Sequence, residues 1–341
     1  MTVPKENRDS RRGSVSVPLG LSVLVVFSAV LSLSIGAVWL SPAEVLRWFF
    51  TPGEPMGVAV RELRLPRTVL ALLVGGGLGI AGAALQGYTR NPLADSGLLG
   101  INGGAALGAV LVLYTGLLRG AAFTLAIPLG GLAGAAAATF LIAWLAGKVR
   151  SIQTLILAGV AVSALTAALT SLVLNFSPNP FATQEIVFWL LGSVADRSWE
   201  HIGFAGPFIA VGAAVILACG RGLQALTLGE DTAASLGISL GRLRLGIIAG
   251  CALVVGPATA AAGAIGFVGL VVPHILRPLV RYDPAKLLVA SALGGALLLL
   301  WADILVRLIP VEQELKLGVL TALLGAPFFL WLIFRLRRLY P

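Results

Sequence analysis

Apolar residues run along this chain in stretches longer than a soluble helix or strand needs, with polar residues collected in short clusters between them. A membrane-spanning helix requires about 20 mostly apolar residues. Runs of that kind fall at about 18–40, 67–87, 97–115, 121–146, 152–174, 201–219, 243–262, 264–280, 287–306 and 317–334. The seventh and eighth form almost one stretch, and Gly263, Gly266, Gly269 and Pro273 supply the break between them. The pattern predicts an all-α integral membrane protein with ten transmembrane helices. It comprises a tail at 1–17, one membrane domain at 18–335 with a polar loop at 220–242, and a tail at 336–341.

Composition agrees. Apolar residues make up 58% of the 341 and charged residues only 11%, where a soluble domain carries roughly 25% charge. A net charge of +9 would suggest nucleic acid, but the basic residues sit between the apolar runs, as in cytoplasmic loops. With the N-terminus inside, the inner segments hold 16 of the 24 Lys and Arg, including Arg8, Arg90, Arg221, Arg242 and Arg277. That bias predicts a multi-pass protein with both termini in the cytoplasm. Arg11-Arg12 leads into Gly13-Ser14-Val15 and an apolar run longer than a signal peptide's, so the first span reads as retained.

Small residues recur four apart at Gly75 and Gly79, at Gly100, Gly104 and Gly108, and at Gly130 and Gly134. On membrane helices this spacing lines one face for close packing.

Several chemistries are absent from the sequence. No Gly-x-x-x-x-Gly-Lys-Ser/Thr loop occurs, so ATP hydrolysis is not expected of this chain, and neither a metal nor any other cofactor is. The two histidines, His201 and His274, and the two cysteines, Cys219 and Cys251, form no metal-ligand or disulfide spacing. Asp303 is the acidic exception within the spans, and Arg307 four residues later can share its helix face and pair with it. A carrier driven by an ion gradient would need Asp303 as a relay.

Two polar segments invite partners. In the 220–242 loop, Thr227-Leu228-Gly229-Glu230 fits a capping box. Two turns would follow to Leu236, Gly237 would end them in a left-handed conformation, and Ser239 could cap another helix. Leu228 and Leu236 would be wet unless this element packs on a partner or lies on lipid headgroups. On the outer side, Arg64 and Arg67 flank Pro66 at the mouth of the second span, side by side on a first helical turn. Such a pair invites carboxylates or snorkels to lipid phosphate.

Ordered blocks then become familiar. They are Arg64-Leu65-Pro66-Arg67, Gly82-Ala83-Ala84-Leu85-Gln86, Arg90-Asn91-Pro92-Leu93-Ala94-Asp95 and Leu98-Leu99-Gly100. They continue through Leu157-Ala158-Gly159-Val160, Phe188-Trp189-Leu190-Leu191-Gly192-Ser193 and Leu228-Gly229-Glu230-Asp231-Thr232-Ala233. Gly266-Phe267-Val268-Gly269 leading to Pro273-His274, and Gly325-Ala326-Pro327-Phe328-Phe329, complete the set. In this order they resemble the permease subunits of ABC importers for ferric siderophores, haem and cobalamin.

The resemblance implies the type II importer permease bundle. Two permease subunits, copies or paralogues, would line a central path above two cytoplasmic P-loop ATPases that bind ATP and magnesium. An extracytoplasmic siderophore-binding protein would deliver an iron(III)–siderophore complex, with cobalamin or haem as the alternative cargo. Gly229, Glu230, Asp231, Thr232, Ala233, Leu236 and Gly237 match the coupling element that seats on an ATPase. Arg64, Arg67 and Arg307 match the outward arginines that meet acidic residues of the binding protein. Gln86, Asn102 and Asn175 are candidate polar contacts along the path. Ser96, Ala234, Ala264 and Lys316 depart from the family's usual residues. Lys316 adds charge to the outer mouth, and Ala234 alters the coupling loop.

Overall fold

The computed structural model describes residues 9–51, 53–115, 121–147, 152–177, 180–309 and 315–339. Lys5, Arg8, Arg119, Lys148 and Arg150, which entered the charge reading, lie outside these residues, as do both chain ends.

Every regular element among the described residues is helical. The chain runs through α1 (Asp9–Ser34), α2 (Pro42–Phe49) and α3 (Pro55–Val58). A π-helical segment, Ala59–Arg64, then feeds α4 (Leu65–Thr89). A 3-10 turn at Ser96–Leu99 precedes α5 (Ile101–Thr115), α6 (Ala121–Ala146), α7 (Ile152–Asn175) and α8 (Pro180–Leu190). Then come α9 (Trp199–Ala218), α10 (Gly220–Leu226), α11 (Glu230–Ser235) and α12 (Leu240–Ala262). The chain closes with α13 (Val268–Leu276), α14 (Pro284–Leu308) and α15 (Leu317–Leu339).

Seven of these helical stretches are long and apolar enough to cross a bilayer, and α5 and α15 contribute shorter apolar helices. The predicted eighth span does not form one. α13 has nine residues, about 14 Å at 1.5 Å per residue, against a hydrocarbon core of about 30 Å. The approach to it is irregular, with Gly263 at φ 74° and Phe267 at φ 67°. Non-helical backbone at membrane depth is tolerated where protein surrounds it, and Ile265, Val268 and Val272 are all buried.

Boundaries shift elsewhere for local reasons. α1 takes in most of the predicted N-terminal tail, since a formed helix gains a hydrogen bond with each added residue, and it stops at Ser34 rather than at 40. Beyond Ser34 the chain wraps the Arg64 guanidinium, which donates to the carbonyls of Leu33, Ser34 and Val38 at 2.8, 3.1 and 2.5 Å. The second span is continuous helix from Pro55 to Thr89, and α15 continues to Leu339 through most of the predicted C-terminal tail. α2 lies between predicted spans. Ser41 caps it, with the Ser41 amide donating to Glu44 at 2.7 Å and the Glu44 amide to Ser41 Oγ at 3.3 Å.

α4 is the central post, packed on α14, α12, α13 and α9. In its most apolar stretch 78% of residues are buried, against 17% in α1 and 22% in α7. The small-residue faces explain the closeness. A methyl on Gly79 would overlap the Ser291 carbonyl of α14, and Gly104 and Gly108 of α5 lie against Gly134 and Gly130 of α6. Gly100 does not join that face; it turns left-handed, at φ 68°, before α5 begins.

Candidate functional site

Polar groups gather at the two ends of the bundle. At the α2 end, Asp303 of α14 is 1% exposed and holds two arginines. Arg67 of α4 donates Nε at 2.9 Å and Nη2 at 2.8 Å to Oδ1, and Arg307 places Nη2 2.7 Å from Oδ2. The expected Asp303–Arg307 pair therefore forms, and Arg67 completes it. Arg307 also reaches back to α1, donating to the carbonyls of Ser32 and Ile35, each at 2.8 Å, and to Ser32 Oγ at 2.6 Å.

Arg64 and Arg67 do not sit side by side as predicted. Arg64 closes the π-helical segment, where the Leu65 amide bonds to Val60 five residues back. It faces α1, while Arg67 faces α14. Both still line one pocket of about 620 Å³, together with Arg307, Arg197, Glu62 and Asp196. Arg197 enters on a pinned loop. The Ser193 amide donates to Ala262 O at 2.7 Å, and Trp199 Nε1 donates to Arg61 O at 3.0 Å. Burial pulls the Arg197 guanidinium below its ordinary pKa, and neighbouring Asp196 opposes the shift.

At the α11 end, α10 and α11 form a helical turn pair. The predicted capping box is absent: Thr227 Oγ1 donates back to Gln224 O at 2.7 Å, and Gly229 takes the N-cap position with no side-chain cap. Its φ of 103°, which a Cβ would disfavour, swings Thr227 away from the Glu230 turn. The helix is accordingly Glu230–Ser235, shorter than the two turns expected.

The predicted helix stop does form. Gly237 is left-handed at φ 83°, its amide bonds to Ala234 O at 2.9 Å, and the Ile238 amide bonds to Ala233 O at 3.0 Å. That is the two-bond Schellman closure. Ser239 caps α12 through the Arg242 amide. Arg90, left-handed at the end of α4, ties the element down with Nη2 3.3 Å from Glu230 Oε1. Ala233 is buried, whereas Asp231, Thr232, Ala234 and Gly237 are exposed, with Leu228 63% and Leu236 61% exposed.

The proposed path residues separate. Gln86 is 2% exposed and bonded at both ends of its amide. Nε2 donates to Gly269 O and Leu270 O at 3.3 and 3.2 Å, while Oε1 accepts from Arg277 at 2.6 Å. As placed it clasps α13 through both ends of its amide. Asn102 accepts from Thr259 at 3.1 Å and reaches Ser96 Oγ at 3.5 Å, linking α5 to α12. Asn175 is exposed at the end of α7.

The Ser96 and Asp95 pair acts locally. Ser96 donates its amide to Asp95 at 2.7 Å, and burial pushes the Asp95 carboxyl up while the Ser96 and Gly97 amides pull it down. Lys316 lies 5.8 Å from the centre of the Phe188 ring.

Two features of the α2 end carry no signal in the sequence. Arg67 was not matched to Asp303, since 236 residues separate them. Arg197 sits in no motif or spacing that would single it out.

Residues 24–335 match the FecCD transport family. The chain belongs to that family. It is 38% identical over 332 residues to the vitamin B12 import system permease protein BtuC of Escherichia coli, covering 97% of this chain and 98% of BtuC. It is 39% identical to YvrB of Bacillus subtilis, an uncharacterized ABC transporter permease protein, over 94% of this chain and 93% of YvrB. A protein assigned as a metal-chelate type ABC transporter, solved in an inward-facing conformation, superposes with a TM-score of 0.84 at 32% identity. That match covers 94% of this chain and 99% of the other. PsaBC from Streptococcus pneumoniae shares the fold alone, at a TM-score of 0.55 and 16% identity over 84% of this chain and 94% of its own. The chain is thus an ABC importer permease of the FecCD and BtuC type, a multi-pass transport component of the inner membrane.

Proposed function

We propose that this permease imports a bulky metal chelate and that cobalamin is its cargo. The observation carrying the reading is the 38% identity to a vitamin B12 permease across 97% of the chain. The ferric siderophore expected from sequence becomes the second reading, favoured by the likeness to a metal-chelate type transporter.

In this reading the α11 end faces the cytoplasm, with both chain termini on that side. α11 seats on one of two P-loop ATPase subunits, which bind ATP and magnesium; the exposed Leu228 and Leu236 supply apolar surface, and Asp231 and Thr232 supply polar contacts. A second permease, a copy or a paralogue, completes the path. The α2 end faces outward, where the pocket of Arg64, Arg67 and Arg307 meets acidic side chains of a cargo-binding protein. The weakly polar helices suit a ligand that must leave again.

Uptake by the native host separates the two cargoes. Deleting this chain should abolish vanadate-sensitive uptake of radiocobalt-labelled cyanocobalamin and leave uptake of a radioiron-labelled hydroxamate complex intact. The opposite pattern assigns the siderophore. Retention of both uptakes in the deletion strain defeats both cargo readings.

A further inference from the structure

α2 has three sides, and two of them are accounted for. Val45 and Trp48, three residues apart, pack with Leu40, Val60 and Leu33 in a small core separate from the main one. Glu44 and Arg47, also three apart, make a charged, exposed side. Leu46 and the C-cap residue Phe50, four apart, make the third. They are 63% and 71% exposed, and Trp39, in the chain leading to α2, is 67% exposed.

The height of α2 along the bundle says what meets that third side. The apolar stretch of α1, Val17–Ser34, has 18 residues, about 27 Å of helix, against a hydrocarbon core of about 30 Å. Its end at Ser34 therefore lies near the edge of the hydrocarbon, and the contact with Leu33 holds α2 against that last turn. Along α1, Val23, Phe27 and Val30 form an exposed apolar flank, and exposed apolar side chains continue beyond its end at Val38 and Trp39. The third side of α2 thus extends a surface that already suits lipid.

Its composition fits the bilayer boundary better than a protein partner. Tryptophan and cationic side chains collect at that boundary, whereas the centre of a protein interface is depleted of charge. Here Arg47 lies 5.2 Å from the Trp48 ring centre and Arg61 5.7 Å from that of Phe49. The helix is also fixed in advance. Ser41 caps it, the Leu40 amide donates to Ser34 O at 3.0 Å, and Arg64 holds the Val38 carbonyl. Contact with lipid therefore has little chain left to order.

We infer that α2 is an in-plane membrane anchor. Trp39, Leu46 and Phe50 dip among the lipid chains at the α2 end of the bundle, while Glu44 and Arg47 stay in the headgroup layer.

The test reads depth in the assembled importer, held in nanodiscs of phosphatidylethanolamine and phosphatidylglycerol. In a Cys219→Ser background, nitroxide labels are attached through Leu46→Cys, Phe50→Cys or Glu44→Cys, and their collisions with oxygen and with a water-soluble nickel chelate are compared. Labels at positions 46 and 50 should lie about 5–10 Å inside the boundary of headgroups and acyl chains, and the label at 44 should meet the nickel chelate. Nickel access at 46 and 50 equal to that at 44 would place the third side in water and overturn the inference. Shielding of 46 and 50 from both reagents would mean that protein covers it, and would overturn it equally. If the labelled variants fail to assemble, native fluorescence decides. Lipid brominated high on the acyl chain should quench the parent more than Trp39→Phe, and equal quenching rejects the anchor.

Discussion

Asp303 and Arg307 lie one turn apart on α14 with Oδ2 and Nη2 2.7 Å from each other, and both are almost wholly enclosed. The pair would be an ordinary i,i+4 contact were it not for Arg67, which binds the other carboxylate oxygen from α4. One carboxylate thus neutralises cations on two helices, and Arg307 extends the tie to α1 through Ser32 and Ile35. Removing the charge while keeping the shape, as in Asp303→Asn, leaves two guanidiniums without their counterion. Breaking a buried pair this way costs about 3–5 kcal/mol. Thermal unfolding in detergent should fall accordingly, and pairing the change with Arg67→Gln should recover part of the loss. Strict additivity of the two changes would show that the triad is not a coupled unit.

The contact of α4 with α14 depends on missing side chains. A methyl at Gly79 would overlap the Ser291 carbonyl, and backbone cannot yield as a flexible side-chain tip does. Gly79→Ala should therefore destabilise by about 1–3 kcal/mol. Gly203 of α9 gives the contrast, since nothing lies within 4 Å of its added Cβ. Gly203→Ala should instead stabilise by about 0.5–1 kcal/mol through helix propensity. Equal behaviour of the two variants in a denaturation series would sink the packing argument.

Much of this bundle was legible because long apolar runs have few alternatives in a membrane. α12 and α14 fall close to where their runs do. α13 was misread for the same reason: an apolar run marks burial, and burial inside protein permits the irregular backbone at Gly263–Phe267. α2 was passed over although Ser41-Pro42-Ala43-Glu44 carries both its cap and its first-turn proline. Local pairs such as Asp303–Arg307 could be read from spacing, but Arg67 joins them only through the tertiary fold. Gly237 was readable as a helix stop. Thr227 was not readable as it stands, because the turn at Gly229 decides which way its hydroxyl points.

Gln86 joins elements that sequence spacing also could not connect. Its amide nitrogen serves two carbonyls of α13 and its oxygen serves Arg277. Gln86→Leu keeps the bulk and deletes every one of these bonds. Leaving buried polar groups unpaired costs about 1–3 kcal/mol each, and the loss should appear first in α13. Amide exchange across Val268–Leu276 should quicken by about 10-fold or more, while α6, which this residue does not contact by hydrogen bonds, keeps its protection. Uniform exchange across both helices would mean that Gln86 supports global stability instead.

Glu230 separates folding from coupling. Its bond to Arg90 is 3.3 Å long, with the two side chains 39% and 46% exposed, so its loss costs less than about 1 kcal/mol. α11 itself is held by the Gly237 closure and by buried Ala233, neither of which needs the carboxylate. Glu230→Lys should therefore leave the purified bundle folded and its melting point nearly unchanged. The lysine places a cation against Arg90 and reverses the charge at the start of α11, where a helix favours an acid. If α11 is the element that seats on the ATPase, that subunit should no longer co-purify, and cargo-stimulated ATP hydrolysis should be lost. Stoichiometric ATPase and normal uptake in this variant would show that the contact lies elsewhere. The exposed Leu228 and Leu236 would then be the next positions to change.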